Sequence, residues 1–221
     1  MNFLQIIQQY SQPMLGGLLV TLKLCAVVWI SGIVIGSTLG TLGASFRRSV
    51  GGPSKVISVI LAGMPVLVFL FWMHYPLQAF LKVVVDPFLT AALTLSIINI
   101  FLVADQVRNA ITDFPRQYLD AARVCGMKAN DTLFHIQLPL LLRQLIPGLL
   151  LIQITVFQMT IFASMISVDE IFRVAQRVNS LIYRPVEIYT LLAFFFIAVC
   201  VPLNLFAHWL RVRFTRDHSE R

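Results

Sequence analysis

GGLLVTLKLCAVVWISGIVIGSTLGTLGA, residues 16–44, holds a single charged side chain, Lys23. Crossing some 30 Å of hydrocarbon takes about 20 mainly apolar residues, so this stretch is long enough to span a membrane. Working outward, four more stretches qualify, at residues 56–77, 87–111, 145–168 and 188–209. The 221-residue chain is 58% hydrophobic and only 12% charged, about half the charged share of an ordinary globular domain. A soluble fold of that size lacks the polar surface to cover so much apolar side chain. A lipid bilayer removes the need. The reading is an all-α polytopic membrane protein with five transmembrane helices in one domain, residues 16–209. A surface segment, residues 1–15, precedes it, and a basic tail, residues 210–221, follows.

The formal charge of +7 raises the question of nucleic acid, and its distribution answers it. Twelve basic residues, from Arg47 and Arg48 through Arg108, Arg143 and Arg211 to Arg221, fall in or beside the segments 45–55, 112–144 and 210–221. Five remain elsewhere: Lys23, Lys82, Arg173, Arg177 and Arg184. Basic residues gather on the cytoplasmic side of spans, so the N-terminus is expected outside and the C-terminus in the cytoplasm. No continuous basic stripe interleaved with aromatics exists, and no nucleic-acid partner is expected. MNFLQIIQQYSQP at the start has no basic n-region and no small-residue cleavage site; it reads as a short amphipathic helix at the membrane surface, without a removable signal peptide.

Chemistry-bearing clusters are sparse. Cys25, Cys125 and Cys200 show no metal-like spacing, and His74, His135, His208 and His218 are scattered. No metal and no cofactor is expected. There is no G-x-x-x-x-G-K-[ST] loop to cradle ATP phosphates, and no nucleophile–base or paired-carboxylate arrangement. The chain reads as a non-enzymatic subunit whose energy comes from a partner.

Polar residues inside the spans are the remaining signal. At 100° per residue, Gln153, Thr160, Ser164 and Ser167 fall within about 60° on a helical wheel, with Thr155 and Gln158 on another face. Such a stripe lines a solute path or makes hydrogen bonds between helices. Asn99 lies mid-span with the same two readings. Asp105 and Arg108 sit one turn apart and fit an intrahelical pair. Gly63 and Pro65 can break the second span, and broken helices mark binding sites in transporters. Asp169, Glu170, Arg173, Arg177 and Arg184 form a charged outer segment that suits either a soluble partner or internal ion pairs.

The 112–144 loop has its own structure. A helix is expected over residues 117–125, with Ala121 and Ala122 as a small-residue face and Gly126 at the C-cap. An apolar run through Leu133, Phe134 and Ile136 then ends at Leu138-Pro139. Helix, glycine elbow and helix against the inner membrane face suit a cytoplasmic partner.

Here the sequence resembles a known family. DAARVCGMKANDTLFHIQLP, residues 120–139, is similar to the EAA loop of ABC importer permeases, with Asp120, Ala121, Ala122, Gly126, Ile136, Leu138 and Pro139 in register. GLLVTLKL (17–24), LAGMPVLV (61–68), PLLLRQLIP (139–147) and TIFASMISVDEIFRVAQ (160–176) resemble segments of the polar amino acid permease family in particular. The resemblance implies the type I ABC importer (MetI-like) permease fold in the bacterial inner membrane. It also implies a second permease subunit, in a homodimer or heterodimer, ATP-binding cassette ATPase subunits docked on the loop, a solute-binding protein and an amino acid or similar small polar solute. A path through Gly63, Pro65, Asn99, Gln153, Gln158, Thr160 and Ser164 is expected on this basis. Five positions depart from the family. Asp120 replaces glutamate, Ala62 replaces arginine, Gln158 and Met159 replace lysine and aspartate, and Asp105 replaces a glutamate. These losses imply weaker polar recognition, either in a heterodimer or for a less charged solute. The alternatives are an ion-coupled secondary transporter and a non-transporting structural subunit.

Overall fold

The computed structural model describes residues 3–219, with side chains over 8–214. Every element in it is helical. The first, α1, runs from Phe3 to Ser45, so the expected surface segment is continuous with the first span. Pro13 lies inside that helix without ending it. Neither is there a loop at 45–55. A widened turn over Arg47–Gly51 leads directly into α2, Gly52–Gly63.

The second span is broken, as Gly63 and Pro65 predict. Met64 precedes proline and takes an extended conformation, because the proline ring disfavours the helical region for its predecessor. α3 (Val66–His74) and α4 (Pro76–Leu81) follow. The two halves, Arg47–Gly63 and Val66–Leu81, meet at 101°.

α5, Pro87–Thr112, starts with proline in its first turn and Asp86 as its cap, accepting from the amides of Phe88 and Leu89 at 2.9 and 3.3 Å. Both features favour a helix start. Its pairing with α1 fixes the topology. Asn99 donates to the carbonyl of Val28, Gly36 packs on Ile100 and Val103, and Gly40 packs on Ala104 and Val107. The residue numbers rise together, so α1 and α5 are parallel. The α2–α4 segment must therefore return the chain across the membrane, and the bent pair makes one crossing.

Two long helices complete the bundle. α8 covers Leu138–Met159 and α10 covers Pro185–Ser219. Asn99 bonds to Gln153 while Gln106 lies over Gly148, so α8 is antiparallel to α5. Phe157 meets Phe196 at a ring separation of 5.4 Å, and Arg143 shares a cavity wall with Arg211, which sets α10 antiparallel to α8. Five crossings result, with the chain's ends on opposite faces. The expected basic tail is not separate; α10 carries on through it to Ser219.

The expected stop at Leu138-Pro139 does not occur. α7 (Ala129–Thr132), a widened turn over Leu133–Gln137 and α8 form one continuous helical rod. In a regular helix the ring of Pro139 would strike the carbonyl four residues earlier. In the wide turn the amide of Leu138 bonds back to Leu133, which makes room for the ring. At the other end, a tighter helix over Thr160–Ile166 follows α8 and ends at Ser167 in the left-handed region (φ 72). α9, Ile171–Ile182, then lies against the N-terminal part of α1, at Gly17.

Candidate coupling loop and membrane path

α6 covers Arg116–Val124, one residue from its expected limits. One face is braced: Tyr118 and Leu119 pack against a cluster of Val107, Phe114, Leu141 and Leu145 at the ends of α5 and α8, and Ala122 is buried. The other face is open, with Ala121 exposed and Val124 88% exposed. The helix ends in a two-bond left-handed cap. Met127 donates to the carbonyl of Ala122 and Gly126 to that of Arg123, both at 3.0 Å, with Gly126 at φ +72. This pattern satisfies the orphan carbonyls of the last turn and turns the chain sharply into the α7–α8 rod.

Asp120 pairs with Arg123 at 3.5 Å with both side chains exposed, an arrangement worth little in water. The loop's shape therefore rests on apolar bracing and the glycine cap. Phe134, 61% exposed, and Leu138 add apolar surface, while Ile136 is half-buried. Pro139 is exposed.

Within the spans, the wheel geometry does not hold. From Thr160 onward the tighter helix turns three residues per turn, so Ser164 and Ser167 do not continue the face of Gln153 and Thr160 at 100° steps. Thr160 and Ser164 are buried, and their hydroxyls donate to Phe157 and Ile161 carbonyls at 2.7 Å each. Gln153 and Asn99 form a reciprocal amide pair at 3.0 and 3.2 Å, and Asn99 also donates to Val28 at 2.9 Å. That one buried group ties α1, α5 and α8 together.

Removing one side of the pair strands the other. Asn99→Ala or Gln153→Ala should each cost about 1–3 kcal/mol, the usual penalty for a buried polar group left without a partner. The double variant Asn99→Leu, Gln153→Leu should cost less than the two single losses summed. Thermal unfolding of the purified variants in detergent checks both.

The face of α8 left open is the other one. Gln144, Thr155 and Gln158 are exposed, and Gly148 and Leu151 half-buried, at spacings of three and four residues along one side. At the basic end this face opens into a cavity of about 690 Å³ lined by Gln106, Arg143, Gln144, Gly148, Leu151 and Arg211, among others. The exposed elbow at Gly63 and Pro65 precedes Val66, which packs on a buried cluster around Leu70, Leu95 and Val156, as Met159 also does. The elbow's first helical residue, Val66, and Met159 at the end of α8 thus pack on one shared cluster. Asn99, Gln153, Thr160 and Ser164, by contrast, are enclosed within the subunit.

Asp105 and Arg108 form the expected pair. In the charged outer segment, Arg177 pairs with Asp169 and Arg184 with Glu187. Glu170 was not legible as special. It is fully buried and caps α9, accepting from the amides of Phe172 and Arg173 at 2.9 and 2.7 Å. Burial pushes its pKa up from the ordinary 4.5 to about 7. The fold favours the protonated form, so this stabilisation is complete below the unfolded value and is lost as pH rises through about 7. Unfolding temperature should fall between pH 5 and 8, and Glu170→Gln should flatten the profile.

The family profile described as binding-protein-dependent transport system inner membrane component matches residues 32–216. The L-cystine transport system permease protein TcyB of Bacillus subtilis is 31% identical over 96% of this chain and 91% of its own length. Glutamine transport system permease protein GlnP of Escherichia coli is 27% identical over 84% of this chain and 88% of its own. A chain from the crystal structure of an amino acid ABC transporter with histidines superimposes with a TM-score of 0.84 at 22% identity, covering 96% of this chain and 99% of that one. The last comparison concerns the fold alone.

Proposed function

The chain belongs to the family of binding-protein-dependent transport system inner membrane components, and from that membership we propose that it is one permease subunit of an ABC importer for polar amino acids. It is a transport subunit and not an enzyme; ATP hydrolysis belongs to a separate ATPase. The observation that carries the reading is the braced α6, whose glycine cap leads into a single rod that becomes the fourth crossing. A push on the open face of α6 is delivered through Phe114, Tyr118 and the rod to the inner ends of α5 and α8.

The basic ends of the spans lie at the same face as α6, which by the positive-inside rule is the cytoplasmic one. The N-terminus is then outside. Two such subunits enclose the path, with an ATPase on each 112–144 loop and a solute-binding protein delivering at the outer face. Exposed Thr155 and Gln158 lie within the apolar part of their span. Polar groups at that depth are rarely turned to lipid, so this face of α8 lines the aqueous path; the Gly63–Pro65 elbow joins it through the cluster that Val66 and Met159 share.

The test uses inside-out control of the energy source. Vesicles carrying this chain with its ATPase, second permease and binding protein should accumulate a radiolabelled polar amino acid only when ATP is supplied. Vesicles without the chain should not. Accumulation that persists without the chain, or that an ion gradient drives with no ATP, overturns the reading in favour of an ion-coupled carrier.

A further inference from the structure

Four charged groups near the ends of α5 and α8, Asp105, Arg108, Glu170 and Arg173, are engaged within the subunit. Asp105 is half-buried and bonded to the guanidinium of Arg108. At the outer end, Glu170 is consumed as a helix cap, and the Arg173 guanidinium donates to the Ser164 carbonyl and the Ser167 hydroxyl at 3.3 and 3.4 Å. What remains on the open face of α8 between the two ends is neutral. Thr155 offers a hydroxyl that already donates to Leu151, and Gln158 offers a carboxamide with both donor and acceptor capacity.

A solute side chain that carries net charge must find a counter-charge at this depth or keep its water. Between Gly148 and Gln158 the open face of α8 supplies no counter-charge; Arg143 and Arg211 stand at its basic end. A carboxamide, by contrast, satisfies a neutral polar side chain of either hydrogen-bonding sense without a desolvated ion. We propose that this subunit's path selects amino acids whose side chains are polar but uncharged, and that Gln158 is the residue that sets the selection. The proposal rests on the amino acid importer reading above and narrows it by charge class.

Binding has to be read on the permease itself, since a binding protein imposes its own preference. The purified complex of permease subunits and ATPase, without binding protein, is equilibrated with radiolabelled glutamine, glutamate or arginine. Glutamine should bind about tenfold or more tightly than either charged amino acid, and Gln158→Glu should shift the arginine-to-glutamine ratio by about tenfold or more in favour of arginine. A merely structural role for Gln158 would lower all three together, and Gln158→Asn, which keeps the amide, should retain the wild-type order. Wild-type binding that ignores charge, or a ratio unmoved by Gln158→Glu, overturns the selection while leaving the importer intact. A complex that binds none of the three, and that supports no ATP-driven uptake once the binding protein is restored, overturns the importer reading and this inference together.

Discussion

Replacing Gly126 with valine should reduce ATP-driven uptake by about tenfold or more while the permease still reaches the membrane folded. The reason is backbone strain and not space. Nothing lies within 4 Å of where a Cβ would sit, but φ is +72. A non-glycine residue pays roughly 1–2 kcal/mol to hold the left-handed region, and a β-branched one fits it worst. The chain relieves that strain by giving up the paired bonds from Met127 to Ala122 and from Gly126 to Arg123. α6 then frays at its exposed end, and its angle to the rod is lost. Asparagine tolerates this conformation, so Gly126→Asn should keep most of the uptake. Copurification of the ATPase with each variant is the second readout. Valine that leaves uptake and ATPase attachment unchanged would show that the cap does not shape the docking surface.

Gly36→Leu or Gly40→Leu should act earlier, cutting the yield of folded permease by about tenfold or more. A Cβ at Gly40 would stand 2.6 Å from the carbonyl oxygen of Ala104 and 2.8 Å from Val107, and one at Gly36 2.7 Å from the carbonyl oxygen of Ile100 and 2.8 Å from Val103. The obstacle includes α5 backbone, which cannot rotate aside as a side chain can. Overpacking of this kind costs about 1–3 kcal/mol or more. In a bilayer no hydrophobic force presses the helices back together, because lipid tails are as apolar as leucine. Separation would also draw Val28 away from Asn99 and break the three-helix tie. Gly16→Ala, where nothing stands within 4 Å, is the control and should change neither yield nor unfolding temperature. Size-exclusion profiles in detergent decide the matter.

Much of this architecture was readable beforehand because a bilayer imposes simple length and polarity limits. The five crossings, the break at Gly63 and Pro65, the α6 helix and the Asp105–Arg108 pair all follow from local rules. The unreadable parts depend on neighbours. Pro139 looked like a stop, yet a widened turn, a choice made by the whole loop, carries the helix past it. The polar stripe failed because the wheel assumes one helical pitch, and the chain tightens at Thr160. Glu170 looked like surface charge, since nothing local announces that α9 folds down over its carboxylate. The spacing of Gly32, Gly36 and Gly40 was available as a signal for close helix contact. Its partner, α5, was not.

The seam between α1 and α5 also constrains how this sequence can drift. Positions 36 and 40 on one helix, and 103, 104 and 107 on the other, share a single gap. A methyl gained at position 36 or 40 meets an α5 carbonyl oxygen as well as a side chain, and no loss opposite removes that oxygen. Both positions are therefore held to glycine in any lineage that keeps this seam, while the lipid-facing residues between them are free to exchange one apolar side chain for another.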